Sequence, residues 1–346
     1  MKVTRDDVAK KAGVSSAVVS YVLNNGPRPV APETKQRVIQ AIEELGYRTN
    51  LIASSLRAKR THTLGLIIPD ISNIYYSELA KGVEDYAYKH GYTVNLGSTN
   101  DEDQIRTSHV ENFTSRKVEG IIFANMEVNS KELELLNDYN IPAVYIIPES
   151  VIDEEMQKKI SCISVDLEKG GYMVGKHLLE KGHQKFACVT GGTPQPESNL
   201  WSWQRVNGFI KAIQEEGFTV DIIQSIDHPE DGYRAGISIL QKENRPSAIF
   251  AGNDLLAIGV LRAASDLQIN VPSELAICGF DDISLTNYVI PRLTTVRIEK
   301  YKQGWEAARM ILGRLDEIRR KVPREDERPD YKYQQFNPQL IIRESS

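Results

Sequence analysis

The fold is decided by TRDDVAKKAGVSSAVVSYVLNN, residues 4–25 of the chain. Thr4 followed three residues later by Asp7 resembles a capping box, in which each residue satisfies a free backbone N–H of the other at a helix start. Gly13 can adopt the positive φ angle that ends a helix sharply. The pattern therefore predicts a first helix over residues 5–12 that stops at a tight turn.

A second and a third helix are predicted after this turn. Ser15 or Ser16 can cap a helix over residues 17–24, and Pro32 stands where the first turn of a helix tolerates proline. The third helix is predicted over residues 33–45. Two short helices joined by a glycine-containing turn, with a third helix to close the core, predict a helix-turn-helix.

Charge is divided unevenly between this module and the rest of the chain. Residues 1–60 contain 11 Lys and Arg against 5 Asp and Glu, whereas the whole chain contains 42 against 47. A small basic module on an acidic body favours binding of a polyanion at one end only. We therefore expect the module to bind nucleic acid, rather than to serve as a three-helix module for docking another protein.

The second helix of such a motif lies in the major groove of duplex DNA, with its early residues on base edges. Apart from one tyrosine, the residues outside its apolar face are small. The candidates for contacts with base edges are Ser16, Ala17 and Tyr21, and those for contacts with phosphates are Ser15 and Ser20. Thr4 and Asn24 complete the predicted set of DNA-contacting residues in the head.

The same stretch resembles the start of the LacI/GalR family of transcription regulators. The resemblance continues without a gap through AIEELGYRTNLIASSLRAKRTHTLGLIIPDISN, residues 41–73. The sequence departs from the commonest family pattern at Val18, where threonine is usual, and at Tyr21, where arginine is usual. Because arginine reads guanine in the major groove, the second departure leaves the operator sequence open.

A hinge is predicted over residues 49–60, after a head over residues 1–48. The resemblance implies that the hinge is a helix that enters the minor groove as one of a pair. Leu56 would then wedge between base pairs with Ala53 beside it, and Arg57 would lie against phosphate. A helix of this length is marginal in water, so we expect it to be ordered only on DNA or against a partner copy. The residues alone fit a plain flexible linker equally well.

In the acidic body, short apolar runs alternate with amphipathic stretches. Alternating strands and helices imply parallel sheets covered on both faces, and two such series predict an α/β core of two lobes, like that of periplasmic binding proteins. The core is predicted over residues 61–346. Its first lobe is expected at about 61–161 and 292–325, and its second lobe at about 162–291 and 326–346.

Ligands of open parallel sheets bind beyond the carboxyl ends of the strands, so two facing lobes should enclose a cleft. The family resemblance extends to this part, for example through AGNDLLAIGVLRAASD, residues 251–266. It implies that Tyr75 and Tyr76 stack on a ring and that Arg205 holds the effector. The implied effector-binding residues are Tyr75, Tyr76, Asp166, Arg205, Asn253 and Asp281. This polar and aromatic set suits a hydroxyl-rich ligand such as a sugar.

The loop before Arg205 departs from the family pattern. Trp201 and Trp203 flank a single serine, and both are candidates to face the cleft. This departure leaves the identity of the effector open.

Motifs for catalysis, cofactors and metals are missing from the sequence. It contains no P-loop, no dinucleotide-binding fingerprint and no His/Cys set with metal-ligand spacing, so we expect neither an enzyme nor a cofactor. Cys162, Cys188 and Cys278 indicate reduced core thiols. The chain has no apolar run long enough to span a membrane, and its start lacks a signal peptide. These features predict a cytoplasmic protein that does not bind membranes.

Taken with the resemblance, the sequence predicts a transcriptional repressor that binds duplex operator DNA as a homodimer and is controlled by a small sugar-like effector. A second hypothesis keeps DNA binding but makes the core a docking surface for a phosphorylated carrier protein acting as corepressor. A third, a free-standing sugar-binding protein, is disfavoured by the attached helix-turn-helix. Whether the effector releases or tightens operator binding is left open.

Overall fold

The computed structural model describes residues 3–24, 26, 28–47, 60–124, 128–149, 152, 156, 160–191, 201–226, 228–320 and 331–346. The chain forms two compact units, Met1–Thr61 and His62–Ser346. In the part of the chain so described, no helix is long and apolar enough to cross a membrane.

The first unit is a bundle of three helices, α1 (Arg5–Ala12), α2 (Ser16–Asn24) and α3 (Pro32–Leu45). Small and β-branched side chains fill the space between them because the helices are short and approach closely. The buried residues are Val8, Ala9, Ala12, Val19, Val38 and Ala41. The predicted helix-turn-helix with its closing helix is confirmed.

The ends of α1 follow from local chemistry. The Thr4 hydroxyl accepts the backbone N–H of Asp7 at 3.3 Å, and the Asp7 carboxylate accepts the backbone N–H of Thr4 at 2.8 Å, so the predicted capping box is present. Gly13 ends α1 with φ of 66°. Ser15 caps α2 by accepting the backbone N–H of Val18 at 3.4 Å.

The second unit contains two parallel sheets and a small antiparallel pair. The strands are β1 (Thr63–Ile68), β2 (Thr93–Ser98), β3 (Gly120–Ala124), β4 (Ala143–Pro148), β5 (Ser161–Val165), β6 (Phe186–Gly191), β7 (Val220–Ser225), β8 (Ala248–Ala251), β9 (Ala276–Cys278), β10 (Thr295–Arg297), β11 (Tyr333–Phe336) and β12 (Gln339–Ile341). The first sheet has the order β11-β5-β4-β3-β1-β2 and the second the order β7-β6-β8-β9, while β10 pairs with β12.

Helices cover both faces of each sheet. They are α4 (Ile74–Lys89), α5 (Asp103–Ser115), α6 (Ser130–Asp138), α7 (Leu167–Glu180), α8 (Trp201–Glu215), α9 (Pro229–Leu240), α10 (Asp254–Asp266) and α11 (Lys300–Arg319). In the first lobe, α4 and α11 pack on one face and α5 and α6 on the other. In the second lobe, α7 and α8 cover one face and α9 and α10 the other. The predicted core of two parallel-sheet lobes is confirmed.

Two strands belong to a different lobe from the one predicted. We expected residues 162–165 and 331–336 in the second lobe, but β5 pairs with β4 in the first sheet, and β11 pairs with β5. The chain therefore leaves the first sheet after Val165 rather than before Cys162. An apolar run predicts a strand, but its partner is chosen by contacts between distant segments, so the sequence placed both strands wrongly.

Two further strands differ from the sequence pattern. Strand β7 lies at the edge of the second sheet, half exposed along its length, so its apolar residues form no continuous run and it was not predicted. The apolar run over residues 337–343 predicts one last strand, of which β12 covers only Gln339–Ile341, and the preceding strand β11 (Tyr333–Phe336) was not predicted. Pro338 lies between them, and a proline has no N–H to donate to a sheet.

Candidate functional site

The predicted DNA-contacting residues of the head lie along α2 and at the start of α1. Ser15 and Ala17 are exposed, whereas Ser16, Ser20 and Tyr21 are half-buried. This arrangement leaves the outer side of α2 lined by small side chains and one aromatic ring, as expected of a helix that must approach base edges closely.

Two of these residues are already engaged within the head. The Ser16 hydroxyl donates to the Asp6 carboxylate of α1, and the Thr4 hydroxyl takes part in the capping box. The first interaction joins α2 to the start of α1, and the second fixes the start of α1 itself, so these two side chains contribute to the geometry of the motif.

Other predicted DNA contacts lie outside the described residues. These are Ala53, Leu56 and Arg57 of the hinge, and of Asn24 only the backbone is described. Their roles stay predictions.

A cavity lies where the carboxyl ends of strands from both sheets meet. It is lined by Asn73, Tyr75, Tyr76, Ile146, Ile147, Val165, Leu167, Arg205, Asn253, Asp281, Ile298 and Gln303. Five of the six predicted effector-binding residues are among them. They come from segments more than 200 residues apart in sequence, and the fold brings them together because parallel strands end at the same edge of a sheet.

The sixth, Asp166, does not line this cavity although its neighbours Val165 and Leu167 do. Its carboxylate accepts the backbone N–H of Lys169 at 2.8 Å and caps α7. The short acidic side chain turns toward the free N–H groups at the helix start, where it is stabilised, and so points away from the cavity. The structure does not bring Asp166 together with the other five.

Arg205 is the central cation of the cavity. Its Nη1 atom lies 3.6 Å from Oδ1 of Asp281, and it also donates to the carbonyl oxygen of Gly252. The guanidinium lies 4.7 Å from the ring centroid of Phe280, close enough for a cation–π contact. These contacts hold the group at the base of the cavity, where only 12 % of the side chain is exposed.

The position of Arg205 depends on a close approach of two helices. A Cβ atom added to Gly171 of α7 would lie 1.7 Å from the carbonyl oxygen of Arg205. No other residue type fits at that distance, so α8 lies directly against α7. A larger residue at position 171 would move the start of α8 and the guanidinium with it.

Asn253 and Asp281 follow β8 and β9 of the second sheet. The Asn253 side chain accepts the backbone N–H of Leu256 at 2.8 Å and caps α10. Asp281 adopts φ of 108°, a conformation that is unfavourable for a residue with a side chain. Strain of this kind persists where the surrounding structure imposes it, and here it holds a carboxylate beside Arg205.

A buried acid lies directly behind these residues. Burial, followed by the negative charge of Asp281, raises the pKa of Asp254 well above its usual value. Its carboxyl group accepts the Thr295 hydroxyl at 2.5 Å and the backbone N–H of Ile283 at 2.8 Å. The raised pKa of Asp254 means that its surroundings disfavour a further negative charge behind the cavity, where the charges of Arg205 and Asp281 oppose each other.

The two tyrosines differ in their surroundings. Tyr75 is buried in the core of the first lobe, whereas Tyr76 is half-buried. Their rings meet edge to face, with centroids 4.9 Å apart. Because both residues line the cavity and Tyr76 is the less buried, Tyr76 is the better placed of the two to stack on a ligand.

Sequence reasoning missed Gln303 on the wall of the cavity. Its position was detectable, because Gln303 precedes Ala307 and Ile311 at four-residue intervals on the buried face of α11. A polar residue on such a face is a signal that the side chain meets a ligand or a polar partner.

The expectation for Trp203 was wrong. It is 2 % exposed, packs in the core of the second lobe and does not line the cavity. The side chain of Trp201 lies outside the described residues.

The three cysteines are free and buried. Burial raises the pKa of the Cys162 thiol to about 12, which makes it a poor nucleophile and metal ligand at neutral pH. No group of His, Cys, Asp or Glu residues in the described ranges is arranged to hold a metal ion.

Comparison with known proteins identifies the family. Residues 4–50 match the description "Bacterial regulatory proteins, lacI family", and residues 176–346 match "Periplasmic binding protein-like domain". Catabolite control protein A of Priestia megaterium is 37 % identical over 315 residues, which are 90 % of this chain and 92 % of that protein. The chain belongs to the LacI family. It is a DNA-binding transcriptional repressor controlled by a small-molecule effector, as predicted.

Other members of the family are similar over the whole chain. The transcriptional repressor PurR of Haemophilus influenzae strain PittEE is 31 % identical over 345 residues, 99 % of this chain and 98 % of that protein. The lac repressor dimer bound to operator and the anti-inducer ONPF superposes with a TM-score of 0.83 at 22 % identity, covering 100 % of this chain and 99 % of that one. This second similarity establishes the fold.

A ligand-bound regulator is also similar. The LacI family transcriptional regulator from Enterococcus faecium with bound ribose has a TM-score of 0.69 and 25 % identity, covering 82 % of this chain and 98 % of that one.

Proposed function

We propose that the repressor acts in the cytoplasm as a homodimer, binds a roughly palindromic operator through its two heads, and is not an enzyme. Its operator affinity is set by a sugar or sugar derivative bound in the cavity between the lobes. The DNA contacts are assigned to the outer side of α2, with Tyr21 on base edges and Ser15 on phosphate. Half-sites related by two-fold symmetry match the two heads of a dimer.

The observation that carries the proposal for the effector is the charge balance of the cavity. Arg205 and Asp281 are oppositely charged and adjacent, and burial raises the pKa of Asp254, the acid behind them, well above its usual value. A strongly charged ligand would leave one of the pair without compensation, whereas an uncharged ligand rich in hydroxyl groups can hydrogen-bond to both.

The surroundings of this pair support the same class of ligand. Asn253 adds an amide, Tyr76 adds a ring face, and the remaining lining is largely aliphatic. Sites for sugars combine ring stacking with a few fixed polar groups. The ribose-bound regulator from Enterococcus faecium and the CelR–cellobiose complex add support from relatives of the same fold.

Control of DNA binding follows from the position of the cavity. Its lining comes from both lobes, so a bound molecule contacts groups whose separation depends on the angle between the lobes. A ligand shifts such an equilibrium only by its difference in affinity for the two arrangements. We propose that this difference brings the two hinges of the dimer together or separates them.

The experiment is a thermal-shift screen of D-ribose, D-glucose, cellobiose, other sugars, polyols and nucleobases on the intact protein. A ligand at 100 times its Kd should stabilise the protein by about 2.7 kcal/mol. Each compound that raises the melting temperature is then tested for its effect on operator binding. Stabilisation by nucleobases and by no sugar would contradict the proposed ligand class.

Arg205→Ala is the matched variant. It should abolish the thermal shift and the effect on operator binding, while operator binding without effector persists. An unchanged response would remove Arg205 from the site.

The alternative of a phosphorylated carrier protein as corepressor predicts a different result in the same assay. In that case no small molecule alone changes operator affinity, and Arg205→Ala leaves regulation intact.

A further inference from the structure

Gln303 is a buried amide whose polar atoms are unused by the protein. It lies in the first turn of α11, is 0 % exposed and lines the cavity. Neither its Nε2 nor its Oε1 atom has a hydrogen-bond partner in the described part of the chain. Buried polar groups in native proteins are almost always paired, so an amide with two unpaired atoms calls for an explanation.

The backbone holds this amide firmly in place. A Cβ atom added to Gly304, the next residue, would lie 2.0 Å from the carbonyl oxygen of Leu79, and one added to Gly82 would lie 2.0 Å from the carbonyl oxygen of Tyr301. Helices α4 and α11 are therefore packed backbone to backbone on either side of Gln303. The side chain cannot be carried to solvent by a small rotation of α11.

Packing alone does not account for a glutamine at this position. On the same face of α11, Ala307 and Ile311 are fully buried in the first-lobe core. A leucine or a methionine would fill the same space without burying an unpaired amide, and so would favour folding. The glutamine therefore makes the fold less stable than an apolar residue would. A residue that destabilises the fold in this way is characteristic of a ligand-binding site.

We propose that Gln303 is a specificity-determining residue of the effector site and that its amide binds two adjacent hydroxyl groups of the effector. This inference rests on the proposed function and names the feature of the effector that the first lobe recognises. A planar amide offers an acceptor and two N–H donors side by side. In a vicinal diol, one hydroxyl donates to Oε1 while the other accepts from Nε2.

The rest of the cavity agrees with this assignment. Aliphatic side chains of Ile146 and Ile147 line the cavity together with Gln303, and none of the first-lobe residues in the lining carries a carboxylate or a guanidinium. The polar groups Arg205, Asn253 and Asp281 come from the second lobe. An effector that satisfies both walls is polar at two edges and uncharged, as a sugar ring is.

The test uses the intact protein and the variant Gln303→Met, which keeps the length of the side chain and removes its amide. The probes are D-ribose, D-glucose and cellobiose, together with the monodeoxy analogues of whichever sugar binds. Affinities are measured by titration calorimetry. Wild type should bind the parent sugar roughly 10- to 100-fold more tightly than the analogue lacking a hydroxyl of the recognised diol. In Gln303→Met this preference should disappear through loss of affinity for the parent sugar.

A second readout needs no ligand. Gln303→Met should melt at a higher temperature than wild type, because it buries no unpaired polar atoms. Gln303→Leu should also melt at a higher temperature than wild type. It replaces Gln303→Met in the test if the methionine variant folds poorly. The control is Gln214→Met on the exposed side of α8, which should change neither the melting temperature nor the sugar preference.

The outcomes separate this inference from the proposed function. If wild type binds a probe sugar and Gln303→Met keeps the same preference over every deoxy analogue, the role of Gln303 is wrong and the proposed function stands. A lower melting temperature in both variants, with unchanged preference, would assign Gln303 a structural role. If no sugar binds wild type, the proposed function fails and the diol assignment fails with it.

Discussion

Lys300 and Glu78 form an ion pair, with Nζ and Oε2 3.3 Å apart, at the place where the two lobes meet. Both belong to helices of the first lobe, yet each also contacts the loop after β9 of the second. Lys300 donates to the carbonyl oxygens of Asp281 and Asp282 at 2.7 and 2.9 Å, and Glu78 accepts the backbone N–H of Ser284 at 3.2 Å. Because Asp281 also lines the effector cavity, the pair links the cavity to the contact between lobes.

We expect Lys300→Met to weaken this link. Lys300 is 4 % exposed, and its removal takes away the cation that faces Glu78 and the donor to the carbonyl oxygens of Asp281 and Asp282. Loss of one member of a buried pair destabilises a protein by about 3–5 kcal/mol, and the value here should be lower, about 2 kcal/mol, because Glu78 is partly exposed. Urea unfolding measures the loss, and operator titrations measure the reduced effect of the sugar.

The matched control is Lys302→Met. Lys302 pairs with Glu299 on the surface of the same helix, with 62 % of its side chain exposed, and exposed pairs contribute about 0–1 kcal/mol. Equal losses in the two variants would argue against a special role for Lys300.

The second prediction concerns Arg106 and Glu132, which join α5 to α6. The guanidinium donates twice, from Nε to Oε1 at 2.9 Å and from Nη2 to Oε2 at 2.7 Å, and both residues are almost fully buried. Glu132→Gln removes the buried counter-ion of Arg106 and leaves only the exposed Asp103, 3.8 Å from Nη1, so it should cost about 3–5 kcal/mol.

The double variant Arg106→Met with Glu132→Met should recover most of that stability, because two apolar side chains need no hydrogen-bond partners. Urea unfolding of the single and double variants provides the comparison. A double variant that is no more stable than Glu132→Gln would indicate that the ion pair itself stabilises the lobe.

The third prediction concerns the pH dependence of stability. Burial and the charge of Asp281 raise the pKa of Asp254 above its usual value of 3.8. The folded protein therefore binds a proton that the unfolded chain has lost, and stability falls as the pH rises from about 4 through the folded-state pKa. The asparagine in Asp254→Asn does not titrate, so the stability of this variant should decrease less than that of wild type as the pH rises.

Melting temperatures of wild type and Asp254→Asn between about pH 4 and pH 8 test this prediction. The melting temperature of Asp254→Asn, relative to that of wild type, should increase as the pH rises. Parallel curves would mean that Asp254 is ionised in the folded protein throughout this range.

The fourth prediction concerns the hinge. Leu56→Gly should lower operator affinity, because it removes the side chain predicted to wedge between base pairs and adds a residue that disfavours helix by about 1 kcal/mol. Affinity for unrelated duplex DNA, which depends on phosphate contacts, should change little. Both affinities are measured at one salt concentration, and equal operator binding by the two proteins would refute the hinge role of Leu56.

The head could be predicted almost completely from the sequence. The bonds between Thr4 and Asp7, the cap at Ser15 and the left-handed turn at Gly13 involve residues at most three positions apart. Interactions over such short sequence separations depend only on the local amino-acid sequence. The alternation of strands and helices in the core is local in the same sense, and so the two-lobe architecture was predictable as well.

Family resemblance selected residues of the cavity, but it did not decide which of them face it. The Asp166 side chain caps the start of α7, where it accepts a free backbone N–H. The Trp203 side chain packs in the second-lobe core, where burial of its large apolar ring is favourable. Each choice depends on neighbours that no local pattern specifies.

What the sequence by itself determined was the identity of the elements and the class of the protein, since both are encoded in short motifs and in apolar periodicity. Only the tertiary structure decided that β5 and β11 belong to the first sheet, that Arg205 meets Asp281, and that Gln303 is buried without a partner. These are relationships between segments far apart in the chain. They arise because strand pairing and helix packing minimise the free energy of the whole core. That free energy depends on many segments at once and cannot be read from any one of them.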